Sequence, residues 1–406
     1  MSTFKTDIKY WLQVFLVPVY WLSFLSVRDK NIWLMGSTFG RRFADNPKYF
    51  YLYLKQFQGD NIRAVWITHD KKIYRFLTEH RLEAYYYRSL AGIYYCLRGG
   101  VYVYDNYSKD ISFWLSGGAL KINLWHGTGT KKINHDNKFD LVRHPVNRWE
   151  RFRTLLRRMS DEKPHHYTLA TSVNMAKILA AAFRSTIDHM LVVGHPRNDI
   201  LFDTGIKNIF IDTERGIEEK LKEIKNQGKK CILYGPTFRD SEVMFFDIMD
   251  LNIFNEFLAR HGYVFCTKLH VKSKLRAKFA GLTYSNILDI PADADTYVIL
   301  PYADMLVADY SSIYLDYMML NRPVVAFPYD FEEYIQNSRE CYFDYQTFMP
   351  EVYARNMEEL MESIEKVFQR DECREKRLER RSYHFDDIDG HSCERLYHAI
   401  KRLCDN

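Results

Sequence analysis

The sequence lacks the cysteine patterns of a disulfide-stapled or zinc-binding protein. Its seven cysteines are an odd number, and no two of them form a C-x-x-C pair. A disulfide framework and a structural zinc site are therefore not expected, and a reducing compartment is indicated. No small-residue cleavage site follows the apolar stretch near the N-terminus, which argues against a secretory signal peptide.

The sequence also has no internal repeat, no low-complexity tract and little excess of charge of either sign. Its formal net charge of +5 fits an anionic partner such as a phosphate, a nucleotide or acidic lipid, without selecting among them. We expect no nucleic-acid partner. No cluster of carboxylates marks a metal site, so no cofactor is expected to be required. Asp304 and Asp309 leave open a Mg²⁺ ion carried loosely by a bound ligand.

What the sequence does have is enough apolar material for two domains. Its 406 residues exceed one ordinary domain and suit two of about 150–200 residues each. Strand and helix patterns alternate over residues 31–125 and again over 230–327, which predicts βαβ units and parallel sheets. The predicted domains are an N-terminal α/β domain at 30–210, a C-terminal α/β domain at 211–380, and a final helix at 381–406.

Residues 10–27 form an apolar, aromatic segment with basic residues on both sides. The segment is at the short limit of about 18 residues for a membrane-spanning helix, and Pro18 lies in its middle. Trp11 and Trp21 suit the headgroup level of a bilayer. We therefore predict that residues 1–29 are an anchor that lies in the membrane interface. A buried first helix of the N-terminal domain is the alternative.

A second segment with membrane-binding character lies at 141–160. It contains six arginines and one glutamate. Trp149, Phe152, Leu156 and Met159 recur at spacings of three and four, which predicts a basic amphipathic helix. Such a helix can lie on anionic lipid or on a phosphate-rich polymer. A solvated helix packed on the domain core is the alternative.

The motif LWHGTGTKK at 124–132 gives the first candidate catalytic residue. A predicted strand at 121–125 ends just before His126, and ligands of open α/β sheets bind at such strand ends. Gly127 lets the backbone approach a bound group, and Lys131 and Lys132 can meet phosphate. A lone histidine is more often structural, but this context favours a functional one.

Three further motifs also follow predicted strands. GHPRND contributes Arg197, LYGPTFRD contributes Thr237 and Arg239, and KLH contributes Lys268 and His270. A hydroxyl and a guanidinium suit a phosphate. A polar loop without a ligand remains the alternative for each motif.

The motif ADYSS, at 308–312, is the most informative. A strand at 305–308 leads into Asp309, Ser311 and Ser312, and a helix is predicted at 312–320. The first amides of a helix attract anions, and the serine hydroxyls add donors. This pattern predicts a phosphate-binding site without a Walker lysine, and an ordinary serine N-cap is the alternative.

Together, these motifs resemble those of the CDP-glycerol glycerophosphotransferases of teichoic acid and capsule synthesis. The resemblance covers roughly residues 30–400 and includes GRRFADNP at 40–47, WHGT with Thr128, PRND, PTFRD, KLH, DYSS and the Arg322-Pro323 pair. It implies a GT-B-like fold of two Rossmann-like domains facing a cleft, with the donor bound mainly by the C-terminal half. It also implies peripheral attachment to the cytoplasmic side of the cell membrane.

The expected reaction transfers glycerol phosphate from CDP-glycerol to a lipid-linked glycan or polymer and releases CMP. His126 is assigned as general base and His270 as stabiliser of the leaving phosphate, and exchanged roles remain open. The residues expected to bind the donor are Gly127, Thr128, Arg197, Thr237, Arg239, Lys268, Asp309, Ser311 and Ser312. Alternatives are a CDP-ribitol transferase, a sugar-nucleotide glycosyltransferase of the same architecture, and a non-catalytic membrane scaffold.

Overall fold

The computed structural model describes residues 11–127, 131–161, 165–209, 212–238, 244–270, 272–281, 283–337 and 340–405. The chain forms two units. The N-terminal unit comprises residues up to Gly127, Ile133–Asn208 and the residues from Asp389 onward, and the C-terminal unit comprises Thr128–Lys132 and Ile209–Ile388. The predicted α/β class with parallel sheets is confirmed.

The N-terminal unit contains a seven-stranded parallel sheet in the order β3-β2-β1-β4-β5-β6-β7. Its first six strands follow the order of a doubly wound dinucleotide-binding fold. The strands are β1 Asp29–Gly36, β2 Arg63–Thr68, β3 Ala84–Tyr86, β4 Gly99–Tyr104, β5 Leu120–Asn123, β6 Tyr167–Ala170 and β7 Met190–Val192.

The C-terminal unit contains a six-stranded parallel sheet in the order β10-β9-β8-β11-β12-β13. Renumbered from its first strand, this is the same order, 3-2-1-4-5-6. The strands are β8 Lys230–Tyr234, β9 Tyr263–Thr267, β10 Ile287–Asp289, β11 Met305–Ala308, β12 Val324–Ala326 and β13 Val352–Tyr353.

Helices cover both sheets, so the strands are buried and their sequences are apolar almost throughout. Those of the N-terminal unit are Val17–Leu22, Asp45–Phe57, Lys71–Glu79, Leu90–Arg98, Arg148–Arg153, Leu155–Asp161, Val173–Phe183 and Ser392–Asp405. Those of the C-terminal unit are Asp212–Asn226, Phe245–Ile248, Leu251–His261, Arg276–Ala280, Thr296–Ile299, Ile313–Tyr317, Phe331–Asn337, Tyr345–Phe348, Met357–Gln369 and Arg374–His384.

The last helix packs on the N-terminal unit, although its sequence follows the C-terminal unit. It begins at Ser392, and the Asp199 carboxylate accepts hydrogen bonds from the backbone N–H groups of Ser392 and Cys393 at 3.0 and 2.7 Å. Asp199 belongs to the PRND motif. The charge of this carboxylate lies at the helix N-terminus, where an anion is stabilising.

The segment that follows residue 10 is helical but divided into three short pieces. It consists of a 3₁₀ turn at Leu12–Leu16, an α-helix at Val17–Leu22 and a second 3₁₀ turn at Ser23–Leu25. Among the described residues, no helix combines the length and apolar content needed to cross a bilayer.

The single amphipathic helix predicted at 141–160 is wrong. Asn147 caps a helix that starts only at Arg148, and the helix breaks at Thr154, whose hydroxyl donates to the Glu150 carbonyl at 2.9 Å. Leu156 is buried, whereas Trp149 and Phe152 are more than half exposed.

Candidate active site

In the N-terminal unit, His126 lies beyond the carboxyl end of β5 and is exposed to solvent. The strand ends at Asn123, two residues earlier than predicted, and Trp125 then adopts a left-handed conformation with φ of 47°. A bulky residue with positive φ is strained, and such strain persists only where the surroundings enforce it. Here the Asn46 amide holds the Leu124 and Trp125 carbonyls at 3.3 and 2.8 Å.

The His126 ring is oriented by its Nδ1 atom, which lies 3.0 Å from the backbone carbonyl oxygen of Asp105. A carbonyl oxygen only accepts hydrogen bonds, so Nδ1 must carry the proton. In the neutral ring, Nε2 is then the bare nitrogen with a free lone pair. That tautomer is the one required of a general base that acts through Nε2.

Arg197 fixes the same turn from inside the unit. Its guanidinium donates to the His126 carbonyl and to the Asp45 carboxylate, both at 2.8 Å, and its side chain is only 4% exposed. Arg197 was predicted to contact the donor, but in this structure its described contacts hold the turn that carries His126. No separate role was predicted for Asp45 or Asn46, although both lie in the GRRFADNP motif.

Asp45 lies beside this turn with an unusual backbone and a partly open side chain. Its φ is 61°, and its side chain is 23% exposed. Burial raises the pKa of the Asp45 carboxyl, while the positive charge of Arg197 opposes that rise. The Asp45 carboxylate lies 2.8 Å from the Arg197 guanidinium and so helps to hold it under the His126 turn.

In the C-terminal unit, His270 follows β9 and is also exposed. Its Nδ1 accepts a hydrogen bond from the backbone N–H of Lys272 at 3.2 Å, and its ring stacks on Phe238 with centroids 5.4 Å apart. Because Nδ1 is the acceptor, the proton of the neutral ring resides on Nε2. His270 can therefore donate a hydrogen bond from Nε2, opposite to the arrangement at His126.

The loops after β8 and β11 flank the point where the strand order reverses, which is where ligands bind in such sheets. Asp309 is fully buried there, and its carboxylate accepts from the Thr237 N–H at 2.8 and 3.1 Å and from the Tyr310 N–H. Asp309 thus ties the two loops together. Ser311 and Ser312 follow in the loop after β11 and are half-buried.

Other predicted donor-binding residues have internal contacts or lie outside the described chain. The Lys268 ammonium donates to the Pro291 and Ala292 carbonyls at 2.9 Å each, so it supports the neighbouring loop. Gly127 directly follows His126 and is half-buried. Thr128 and Arg239 lie outside the described residues.

Asp304 and Asp309, the two carboxylates considered for Mg²⁺, both accept hydrogen bonds from protein groups. Asp304 accepts from the Lys225 ammonium at 2.6 and 2.7 Å and from the Cys231 N–H at 2.7 Å. Asp309 accepts from the backbone as described. Across the described parts of the chain, no group of three or more His, Cys, Asp or Glu side chains is arranged to hold a metal ion.

The protein is similar in sequence to several enzymes of teichoic acid synthesis. It is 26% identical to a teichoic acid glycerol-phosphate transferase of Staphylococcus aureus, over 92% of this chain and 93% of that protein. It is 26% identical to a teichoic acid poly(glycerol phosphate) polymerase of Staphylococcus epidermidis and 28% identical to a teichoic acid poly(ribitol-phosphate) polymerase of Bacillus spizizenii. The matches cover 80% and 69% of this chain but only 44% and 42% of those polymerases.

The fold is shared with solved structures. The wall teichoic acid polymerase TagF superposes with a TM-score of 0.72 at 20% identity, covering all of this chain and 98% of the other. A UDP-GlcNAc 2-epimerase from Neisseria meningitidis gives a TM-score of 0.52 at 13% identity, covering 92% of this chain and 100% of that one. These likenesses establish a common α/β architecture.

A family model for CDP-glycerol:poly(glycerophosphate) glycerophosphotransferases matches residues 18–402, which is nearly the whole chain. The match agrees with the motifs WHGT, PRND, KLH and DYSS, which led to the same family from the sequence. The protein is therefore an enzyme of the CDP-glycerol:poly(glycerophosphate) glycerophosphotransferase family.

Proposed function

We propose that this enzyme transfers glycerol phosphate from CDP-glycerol to a hydroxyl group of a lipid-linked, teichoic acid- or capsule-type acceptor and releases CMP. The observation that carries the proposal is the pair of opposite histidine tautomers. His126 offers a bare Nε2, and His270 offers a protonated Nε2. Transfer of a phosphoryl group to a hydroxyl needs one group that accepts a proton and one that stabilises the leaving phosphate.

In the proposed reaction, the acceptor hydroxyl gives its proton to Nε2 of His126 as its oxygen attacks the β-phosphorus of CDP-glycerol. The bond between that phosphorus and the bridging oxygen breaks, and the electron pair leaves with CMP. His270 donates a hydrogen bond from Nε2 to the phosphate oxygens on which negative charge develops. The proton on His126 then passes to solvent, so the products are the extended acceptor, CMP and one proton.

On the donor side, the proposal assigns the diphosphate to the loops after β8 and β11. Asp309 ties these two loops together through hydrogen bonds to their backbone N–H groups. The hydroxyls of Ser311 and Ser312 are proposed to donate hydrogen bonds to phosphate oxygens. Thr237 and Arg239 are proposed to complete the contacts. Such pre-arranged donors stabilise charge without reorganisation during the reaction. A Mg²⁺ ion is not needed by this scheme.

We also propose peripheral attachment to the cytoplasmic side of the cell membrane. Support comes from the exposed apolar residues of the N-terminal unit. Phe15, Trp21 and Leu25 are 74%, 62% and 80% exposed, and Trp11 stacks on Phe152 with ring centroids 4.7 Å apart. That contact joins the N-terminal segment to the arginine-rich segment, and we propose that both segments face the membrane.

The proposed function is tested by incubating the purified protein with CDP-glycerol and a lipid-linked disaccharide, followed by mass spectrometry of the product. We expect CMP release and a mass increase of one glycerol phosphate. A parallel reaction with CDP-ribitol addresses the ribitol-phosphate polymerases among the relatives. If the enzyme turns over CDP-ribitol but not CDP-glycerol, the donor is CDP-ribitol. If it turns over only a UDP- or GDP-sugar, the proposed reaction is refuted.

A further inference from the structure

A groove in the N-terminal unit lies between the N-terminal helical segment and the loops at the carboxyl edge of the sheet. Its volume is about 570 Å³, which lies within the range of ligand-binding sites. Leu12 and Leu16 form one wall, and Tyr87, Phe113 and Trp114 contribute to the other. The reaction proposed above makes no use of this groove.

The charged residues that line the groove are both cationic. They are Arg88, which is exposed and lies over the Tyr87 ring at 5.0 Å, and Lys109, which pairs with Asp161 at 2.7 Å. His69 also lines the groove. Burial lowers the pKa of His69, with Arg41 and Arg88 adding to the effect, so this ring is neutral at cytoplasmic pH. An apolar groove with a cationic edge is complementary to an amphiphile with an anionic head.

The groove and His126 lie at the same edge of the N-terminal sheet. Lys109, Phe113 and Trp114 belong to the loop that follows β4, and the first residue of that loop is Asp105, whose carbonyl orients the His126 ring. His126 follows β5, the strand next to β4. Adjacent strands are about 4.8 Å apart, so the groove and the histidine share one edge of the sheet.

The N-terminal segment that borders the groove also carries exposed apolar residues. Leu12 and Leu16 line the groove, whereas Phe15 of the same segment does not line it and is 74% exposed. A lipid chain that leaves the groove would therefore pass directly onto the surface that we propose faces the membrane.

We propose that this groove receives the lipid chain of the acceptor where it adjoins the phosphate head, with Arg88 and Lys109 near that phosphate. The proposal rests on the proposed function, since it assumes a lipid-linked acceptor. It assigns the N-terminal segment a direct part in substrate binding in addition to membrane attachment. Enzyme and lipid form no covalent bond in this interaction.

Two kinds of variant test the groove by kinetics. The double variant Leu12→Gln, Leu16→Gln makes one wall of the groove polar, and the variant Ser112→Trp fills the groove with a large side chain. We expect about a tenfold or larger rise in KM for a long-chain lipid-linked acceptor, because the two glutamines no longer bury apolar surface against the chain. The KM for CDP-glycerol and turnover of a short-chain, water-soluble acceptor should not change.

Leu90→Gln is the matched control, because Leu90 is 89% exposed in the same unit and does not line the groove. This variant should behave as wild type with both acceptors. Equal losses with long-chain and short-chain acceptors, or no loss with either, would overturn the groove proposal.

A binding measurement separates this proposal from the proposed function. A long-chain alkyl phosphate with a terminal diazirine is photolysed with the full-length protein, and labelled peptides are mapped. We expect labelling at Leu12, Leu16 or Trp114, and none with the alkyl trimethylammonium of equal length. This result does not depend on transferase activity. Labelling elsewhere, or labelling abolished by phosphatidylglycerol vesicles but not by the acceptor, would overturn the proposal.

Discussion

In both units, an aspartate that follows the fourth strand of the sheet accepts a hydrogen bond from the loop after the first strand. In the N-terminal unit, Asp105 follows the fourth strand and accepts from the backbone N–H of Thr38, in the loop after the first strand, at 3.0 Å. In the C-terminal unit, Asp309 follows the fourth strand and accepts from the backbone N–H of Thr237, again after the first strand, at 2.8 Å. Each aspartate thereby ties together the two loops where the strand order reverses.

The units differ in where they place a histidine and how they hold it. His126 follows the fifth strand of its sheet, and a carbonyl 21 residues earlier in the chain holds its Nδ1–H. His270 follows the second strand of its sheet and is held by an amide two residues later. A repeated architecture thus supports two different rings, one suited to accept a proton and one suited to donate a hydrogen bond.

Replacing His126 should have the largest effect. His126→Ala removes the proposed base, so kcat should fall about 10²–10⁴-fold while the fold is kept, because the side chain is exposed. Steady-state CMP release measures the loss. His80→Ala is the control, since that exposed histidine of the same unit also has its Nδ1 against a carbonyl, that of Phe76. Near-normal turnover by His126→Ala would refute the assignment.

Replacing His270 should have the next largest effect on kcat. Unlike the loss at position 126, this loss should be partly restored by a glutamine. His270→Ala should lower kcat about 10²–10³-fold, the usual loss when one donor to a developing anion is removed. His270→Gln should recover part of this loss, because a carboxamide N–H can still donate, whereas His126→Gln should recover nothing. Rescue at position 126 and none at position 270 would reverse the two roles.

The shared aspartate clamp predicts matched losses of stability. Asp105→Ala and Asp309→Ala each leave a backbone N–H without its carboxylate acceptor, which costs about 1–3 kcal/mol. Amide hydrogen exchange should therefore accelerate in the loop at Thr38 in the first variant and at Thr237 in the second. Acceleration in only one of the two loops would show that the clamps are not equivalent.

A smaller effect concerns pH and the C-terminal unit. Burial lowers the pKa of the fully buried His384 to about 3, below its ordinary value of 6.5. The unfolded state therefore binds more protons below pH 6.5, and stability should fall as the pH falls. Between pH 7 and pH 5 the contribution of His384 is about 2 kcal/mol.

His384→Phe provides the check on that pH dependence, since the native ring already packs edge-on against Phe343. Chemical unfolding at several pH values should show a slope lower by about one proton between pH 6 and pH 4 than in the wild type. An unchanged slope would mean that His384 is protonated in the folded protein.

The sequence predicted strands best where an apolar run is buried on both faces of the sheet. The strand predicted at 305–308 agrees with Met305–Ala308 to the residue. The strands β3, β6, β10 and β13, which have two to four residues each, were not predicted. Strands of that length carry no periodic pattern, and their pairing depends on the rest of the sheet.

The motifs of the site were recognisable in the sequence, but the contacts that each of their side chains makes were not. Arg197 and Lys268 were expected to face a phosphate, whereas their described bonds go to protein carbonyls and a carboxylate. A cation after a strand looks the same in sequence whether it faces a ligand or a buried carbonyl. Asp105 was missed, although a polar residue directly after the GVYVY strand was a usable signal.

The most direct test of the account is the tautomer of each histidine, measured by long-range ¹H–¹⁵N correlation on imidazole-labelled protein at a pH where both rings are neutral. The account predicts that His126 carries its proton on Nδ1 and that His270 carries its proton on Nε2. Finding the two rings in the same tautomer, or in the reverse pair, would contradict it.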